Sequence, residues 1–347
     1  MLYKEKNPHG GDVYQGKITL DFSANTNPFG TPKKVKEAMI NAMDEIYQYP
    51  DPYCRELVKA IAEWEGIPKD YVLVGNGAAD LIYSYCESLS PKKALELAPT
   101  FSEYHLALEK NNCEVERFFL KKEKNFLVDR SFVSYLEDSD AEVVFLCNPN
   151  NPTGQLIPQR ILEELVGVAK ERGMFLFVDE CFLDLSDYGK SLKFLLKENP
   201  HLFLLKAFTK SYGLAGVRLG YGLSSNEELL RKMSRNTQSW NVSTLAQKAG
   251  IAALGEGEFL KNTKSYMYRE REWMKSQLEQ LGYFVCPSHG NFLLFQGDPK
   301  LGEQLWEKGI SIRNCDNYFG LEPGWYRIGI RLREENKKLL LALQDLS

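Results

Sequence analysis

The chain has 347 residues, enough for roughly two domains at about 150 residues each. A composition of 44% hydrophobic and 26% charged residues excludes a disordered, collagenous or disulfide-scaffold protein. Lys and Arg number 43 against 47 Asp and Glu, a net charge of −4, so there is no general electrostatic footprint for nucleic acid.

The N-terminal stretch has no apolar run of signal-peptide kind. No segment approaches the ~18 apolar residues that a membrane helix needs. The expectation is a cytoplasmic protein with neither nucleic acid nor membrane as a partner. Seven cysteines, an odd number without Cys-x-x-Cys spacing, read as buried free thiols. His9, His105, His201 and His289 are scattered without metal-ligand spacing, so no metal is expected.

Apolar runs and helical patterns alternate through the middle of the chain. In order, Tyr71 to Val74 reads as a strand, Asp80 to Ser88 as a helix, Ala94 to Ala98 as a strand and Glu103 to Lys110 as a helix. Strands follow at Glu114 to Leu120 and Glu142 to Cys147, then a helix from Leu162 to Arg172 that stops at Gly173. Further strands are expected at Met174 to Val178, Leu202 to Lys206 and Val217 to Gly222. Such alternation implies crossover units and a mostly parallel sheet. After Gly255 a long charged helix, Glu258 to Leu281, is ended by Gly282. Short strands (Phe292 to Phe295, Ile310 to Arg313, Tyr326 to Arg331) and a last helix, Glu334 to Gln344, complete the chain. The expected fold class is α/β. A large domain at residues 46–270 holds the mostly parallel central sheet. A smaller α+β domain comes from the two chain ends, 1–45 with its N-terminal arm and 271–347.

Four features fall at strand ends or in loops, where open α/β sheets bind ligands. Gly75-Asn76-Gly77-Ala78-Ala79-Asp80 joins a strand to a helix. Its glycines allow close backbone approach and the helix start offers N–H groups to a phosphate, although a plain turn fits equally well. Asn148-Pro149-Asn150-Asn151-Pro152-Thr153-Gly154 is overbuilt for a turn: two prolines fix the backbone and three asparagines offer amides. Asp179 ends the run Met-Phe-Leu-Phe-Val, where a carboxylate needs a partner; a helix cap or an ion pair is the plain alternative. Thr209-Lys210 follows another apolar run, with Arg218 eight residues on. Desolvation there would make Lys210 a Schiff-base nucleophile and Arg218 a fixed phosphate ligand, although Lys210 taken alone would be a surface lysine.

In this order along one α/β chain, the four features resemble the fold-type I, aspartate-aminotransferase-like pyridoxal-phosphate (PLP) enzymes over nearly the whole length. The resemblance implies pyridoxal 5′-phosphate as cofactor, held by Lys210 as a Schiff base, with Lys210 also moving protons. Asp179 would pair with the pyridinium nitrogen, Asn151 would bond the ring's 3′-oxygen, and Tyr104 would stack on the ring. The N–H groups of Ala78 and Ala79, with Thr209 and Arg218, would hold the cofactor phosphate. Tyr49 would reach the phosphate of a neighbouring subunit, which implies a homodimer. Two positions depart from the pattern. Ala207 stands where the family usually has Ser or Thr, and Phe182 where many relatives have Tyr.

Within that family the chain resembles the histidinol-phosphate aminotransferases and the L-threonine-O-3-phosphate decarboxylases of cobalamin biosynthesis. His9-Gly10-Gly11, the run Asp21 to Gly30, Phe182, Ile312-Arg313-Asn314-Cys315 and Tyr326 to Arg331 favour the decarboxylases. The implied activity is loss of CO2 from a small phosphorylated amino acid, with His9, Asn151, Arg313 and Arg327 binding the substrate's acidic groups. The alternative is transamination with 2-oxoglutarate. The same cofactor residues serve both, and the orientation of the substrate's Cα bonds decides between them.

Overall fold

Five apolar residues in a row, Val143–Cys147, are buried on both sides, as the inner strand of a covered parallel sheet must be. They belong to a computed structural model that describes residues 9–14, 16–186 and 188–346. In chain order its strands begin with β1 (Leu20–Asp21), β2 (Val72–Gly75), β3 (Lys93–Ala98), β4 (Glu114–Phe119) and β5 (Val143–Cys147). Next come β6 (Phe175–Asp179), β7 (Leu202–Ala207), β8 (Gly220–Leu223) and β9 (Phe284–Val285). The last four are β10 (Phe292–Gln296), β11 (Ile310–Ser311), β12 (Arg313–Asn314) and β13 (Trp325–Gly329).

The large sheet has seven strands in the order β2-β8-β7-β6-β5-β3-β4. Pairing is parallel except around β8, which runs against both β2 and β7. The carboxyl ends of β2, β3, β5, β6 and β7 therefore share one edge with the amino end of β8. The mostly parallel sheet expected from the sequence is observed.

Register fixes which side chains share a face. Phe145, Phe177 and Phe203 are aligned across β5, β6 and β7. Their rings pack at centroid distances of 4.8 and 5.2 Å, all fully buried. Tyr85, from the helix Ala78–Leu89, and Tyr104, from the helix Glu103–Lys110, cover this ladder. Burial of each such ring contributes about 1.5–3 kcal/mol. Because side chains alternate along a strand, Cys147 and Asp179 lie on the ladder's face, two residues beyond Phe145 and Phe177. This puts the Asp179 carboxylate under Tyr104.

A four-stranded antiparallel sheet, β12-β13-β10-β9, forms near the C-terminus. The short β1 pairs in parallel with β11, Leu20 beside Ile310. Beyond it Gly329 N–H donates to Phe22 O at 2.7 Å, so the segment leading into Asn25 runs along the later strands.

Most strand boundaries shift by one or two residues from the sequence reading, and two of the differences have a clear cause. Val217 to Gly222 shortens to Gly220–Leu223, because Arg218 is left-handed (φ +59°) and cannot lie in a strand. Ile310 to Arg313 divides at Ile312, with β11 pairing to β1 and β12 to β13. All seven cysteines are free and buried. Among the described residues no helix is long and apolar enough to cross a membrane, and no cluster of His, Cys, Asp or Glu is arranged for a metal.

Candidate active site

Four strands of the shared edge, β2, β5, β6 and β7, each deliver one feature. After β2, the chain turns at Gly77 into the helix Ala78–Leu89. Gly77 has φ +85°, and a Cβ there would lie 2.6 Å from Arg218 Nη2. Glycine is thus required twice, for the turn and for the close approach of a guanidinium. The first-turn N–H groups of Ala78 and Ala79 have no partners within the helix, and Arg218 lies against the Gly77 that precedes them. Backbone donors and an exposed guanidinium together form an anion cradle of phosphate type. The helix Phe208–Ser211, which carries Thr209 and Lys210, starts from the carboxyl end of β7.

After β5, the asparagines divide their labour. Asn148 Oδ1 accepts from Ile157 N–H at 2.8 Å. Asn150 donates to Pro99 O and Thr153 Oγ1 and accepts from Thr100 Oγ1. Both serve the loop. Asn151 faces across to the other sheet, where its Oδ1 accepts from Arg327 Nη1 at 2.5 Å.

At the end of β6, Asp179 is 4% exposed. Its Oδ2 accepts from the Tyr104 hydroxyl at 2.7 Å and its Oδ1 from Cys181 N–H at 2.9 Å. Burial nevertheless pushes its pKa up, against the help of these bonds and of Lys210. A carboxylate so placed gains from a further cationic partner, such as the protonated nitrogen of a heterocycle. Glu180 points elsewhere: its Oε1 accepts from Leu192 N–H, and burial raises its pKa to about 7.

Lys210 is half-buried, and its Nζ donates to Asn25 Oδ1 at 2.9 Å. Burial lowers its pKa to about 8, helped by the nearby cations Arg327 and Arg218. This is the state of a lysine primed to attack a carbonyl. Phe182 lies beside it, with Nζ 5.6 Å from the ring centre, and supplies no hydroxyl. Ala207, buried at the end of β7, likewise supplies none.

Arg313 and Arg327 face each other in register on β12 and β13, and both are buried. Like charges directly opposite on a sheet repel, so the pair gains from an acidic ligand. Arg327 also donates to Ser23 O at 2.9 Å. Arg313 donates to Asn317 Oδ1 at 2.7 Å.

The structure therefore links Lys210, Asp179, Asn151 and Arg327 through contacts and charge, with Arg218 at the Gly77 cradle. Three expected residues stand differently. Tyr104 is fully buried with its ring 5.4 Å from Phe145, so its face is occupied and its hydroxyl is used on Asp179. Tyr49 is 78% exposed and stacks on Trp240 at 4.4 Å. His9 pairs with Glu103 at 2.6 Å and lies 6.0 Å from the Phe101 ring.

Two residues escaped the sequence reading. Asn25 touches Lys210 directly, and its signal was the Asn25-Thr26-Asn27-Pro28 run. Phe101, half-buried, sits between His9 and Tyr104. Its signal was a second aromatic in the same Pro-Thr-Phe-Ser-Glu-Tyr segment.

Comparisons with known proteins give the family. Residues 17–343 match the family described as aminotransferase class I and II. The threonine-phosphate decarboxylase of Salmonella typhimurium is 34% identical, over 97% of this chain and 96% of that protein. The histidinol-phosphate aminotransferase of Methanosphaera stadtmanae is 30% identical, over 94% and 90%. The crystal structure of the histidinol-phosphate aminotransferase from Clostridium acetobutylicum has a TM-score of 0.88 at 30% identity, covering 94% of this chain and 98% of that one. The chain therefore belongs to the class I and II aminotransferase family, and its cofactor is pyridoxal 5′-phosphate.

Proposed function

We propose that the protein decarboxylates L-threonine O-3-phosphate to (R)-1-aminopropan-2-yl phosphate, a step of cobalamin side-chain synthesis. The observation that carries this reading is the buried, in-register pair Arg313 and Arg327. Two facing cations suit a substrate with two acidic groups, here a carboxylate and a phosphate. The similarity to the Salmonella typhimurium decarboxylase supports the same reading.

PLP, once bound, draws electrons from the substrate's Cα. Lys210 would hold it and then carry a proton to the carbon that loses CO2. Asp179, steadied by Tyr104 and Cys181 N–H, would keep the ring nitrogen protonated. Asn151 would bond the 3′-oxygen. Ala78 and Ala79 N–H, Thr209 and Arg218 would hold the phosphate. Phe101, in place of Tyr104, would cover the ring. Arg313, Arg327 and His9 would fix the substrate's acidic ends, and Asn151 would contribute through Arg327. Residues 46–270 would form the cofactor-binding unit, and 1–45 with 271–347 the substrate-closing one. A homodimer is part of this reading: the exposed Tyr49, Tyr47 and Tyr53 mark a surface for a second copy, where Tyr49 would reach the partner's phosphate.

Product analysis tests the proposal. PLP-loaded protein is given O-phospho-L-threonine with and without 2-oxoglutarate, and the products are read by mass spectrometry. The expected product is an amine phosphate formed without 2-oxoglutarate. Glutamate formed only with 2-oxoglutarate would replace this reading with transamination. That second reading is favoured by the likeness to the Clostridium acetobutylicum enzyme.

The state of Lys210 gives a second expected result. Below its pKa of about 8 the ammonium cannot attack, and above it the amine is free. Capture of added PLP by the apoprotein should accelerate as pH rises to about 8 and level off above. Stopped-flow absorbance reads the rate. A rate still climbing toward pH 10, the range of an ordinary lysine, would refute the assignment.

A further inference from the structure

The turn that follows Arg313 meets the large sheet through the buried Tyr318 and Leu321, which share its core, and through one exposed aromatic. After β12 the chain makes a compact turn, with Tyr318 N–H on Cys315 O and Leu321 N–H on Tyr318 O. Arg313 is tied into that turn through Asn317, and its guanidinium lies 5.2 Å from the Tyr318 ring. Phe319, at the turn's tip, leaves the small unit and is 44% exposed. Its ring lies 3.7 Å from the Arg117 guanidinium of β4 and 5.1 Å from the His105 ring on the helix Glu103–Lys110. Arg117 is held in place by Glu96 of β3, Nε to Oε1 at 2.8 Å, and Glu96 is 1% exposed. The next residue, Gly320, has φ +82° and rests on the ends of β3 and β4. A Cβ there would be 3.3 Å from Phe119 and 3.4 Å from the Ala98 backbone.

We propose that Phe319 is a positioning residue: lodged between Arg117 and His105, it latches residues 313–321 onto the edge of the large sheet and so sets how well Arg313 meets the substrate's acidic group. The inference rests on the reading of Arg313 as a substrate ligand. Its physical basis is leverage. Arg313 belongs to one unit and the cofactor groups to the other, so the distance between them depends on what spans the two. A planar guanidinium fixed at one edge by a buried carboxylate offers its face to an aromatic, which a lysine would not do. The same helix that supports Phe319 through His105 carries Glu103, the partner of His9, and Tyr104, the partner of Asp179. The latch therefore ties the substrate loop to the element that supports the cofactor site.

The test uses full-length PLP-loaded protein and O-phospho-L-threonine, with Kd read from the cofactor's absorbance change. Phe319→Ala should raise Kd and KM by roughly 3- to 20-fold, the range of one partly desolvated cation–π contact. It should leave kcat within about twofold and PLP affinity unchanged, since binding alone is weakened. Phe319→Trp should restore affinity. Arg313→Gln should raise Kd further, and the double variant Arg313→Gln, Phe319→Ala should bind no worse than Arg313→Gln, since both act through one group. If Arg313→Gln weakens binding while Phe319→Ala does not, the latch is overturned and the reading of Arg313 stands. If Arg313→Gln leaves Kd unchanged, that reading falls and the latch with it. An equal loss of kcat and PLP affinity in Phe319→Ala, unrelieved by Trp, would show a merely structural residue.

Discussion

Lys210→Ala should lower turnover by at least about 10³-fold, within the range expected for loss of a positioned acid–base group. It should also abolish covalent attachment of PLP. The fold should survive, because the side chain gives the native state one hydrogen bond, to Asn25 Oδ1, worth about 1 kcal/mol net. A second lysine, Lys206, stands four residues earlier on β7 and is the competing candidate. Charge decides between them. Lys206 lies 3.0 Å from Glu65 and 3.1 Å from Asp184, and these anions hold it protonated well above the usual lysine range despite its burial. A locked ammonium is no nucleophile. Lys210 has two cations, Arg327 and Arg218, set against Asp179, and burial brings its pKa down to about 8. Borohydride reduction followed by peptide mass mapping checks this directly. The adduct should sit on Lys210, and an adduct on Lys206 would overturn the assignment.

The parts of this site legible in the sequence are those at the ends of apolar runs. Asp179, Asn151 and Lys210 each follow a strand that reads plainly, and strand ends are where a parallel sheet exposes its ligand edge. What could not be read is pairing at long range. Lys210 meets Asn25 across 185 residues of sequence. Arg313 and Arg327 become a facing pair only through the register of β12 and β13. The place of Tyr104 is hidden for a similar reason. Its segment shows two aromatics, Phe101 and Tyr104, and only the packed ladder of Phe145 and Phe177 tells which one is covered. Several helices, among them Arg55–Glu65 and Glu227–Arg235, are also hard to see in the sequence. They are charged and amphipathic, and their buried stripes become evident only against the sheet.

Asp179→Asn is the sharper test of the cofactor's electronics. Asparagine keeps the size of the side chain and can still accept from Cys181 N–H, so the end of β6 should keep its shape. What goes is the negative charge. In the wild-type chain burial raises the Asp179 pKa, and the Tyr104 hydroxyl, Cys181 N–H and Lys210 all act to keep it ionised. A ring-nitrogen proton would add the cation that this arrangement lacks. With asparagine there, nothing in the buried floor favours that proton, and the ring's pull on Cα weakens. Breaking a buried charge pair costs about 3–5 kcal/mol, so kcat should fall by about 10²–10⁴-fold and PLP should bind more weakly. Lys210 should still attach the cofactor, which separates this variant from Lys210→Ala. Tyr104→Phe should fall well short of it, because it removes one hydrogen bond to the carboxylate and leaves the charge. Turnover of Asp179→Asn within a few-fold of wild type, measured with saturating PLP, would show that the carboxylate under Tyr104 does not govern the ring.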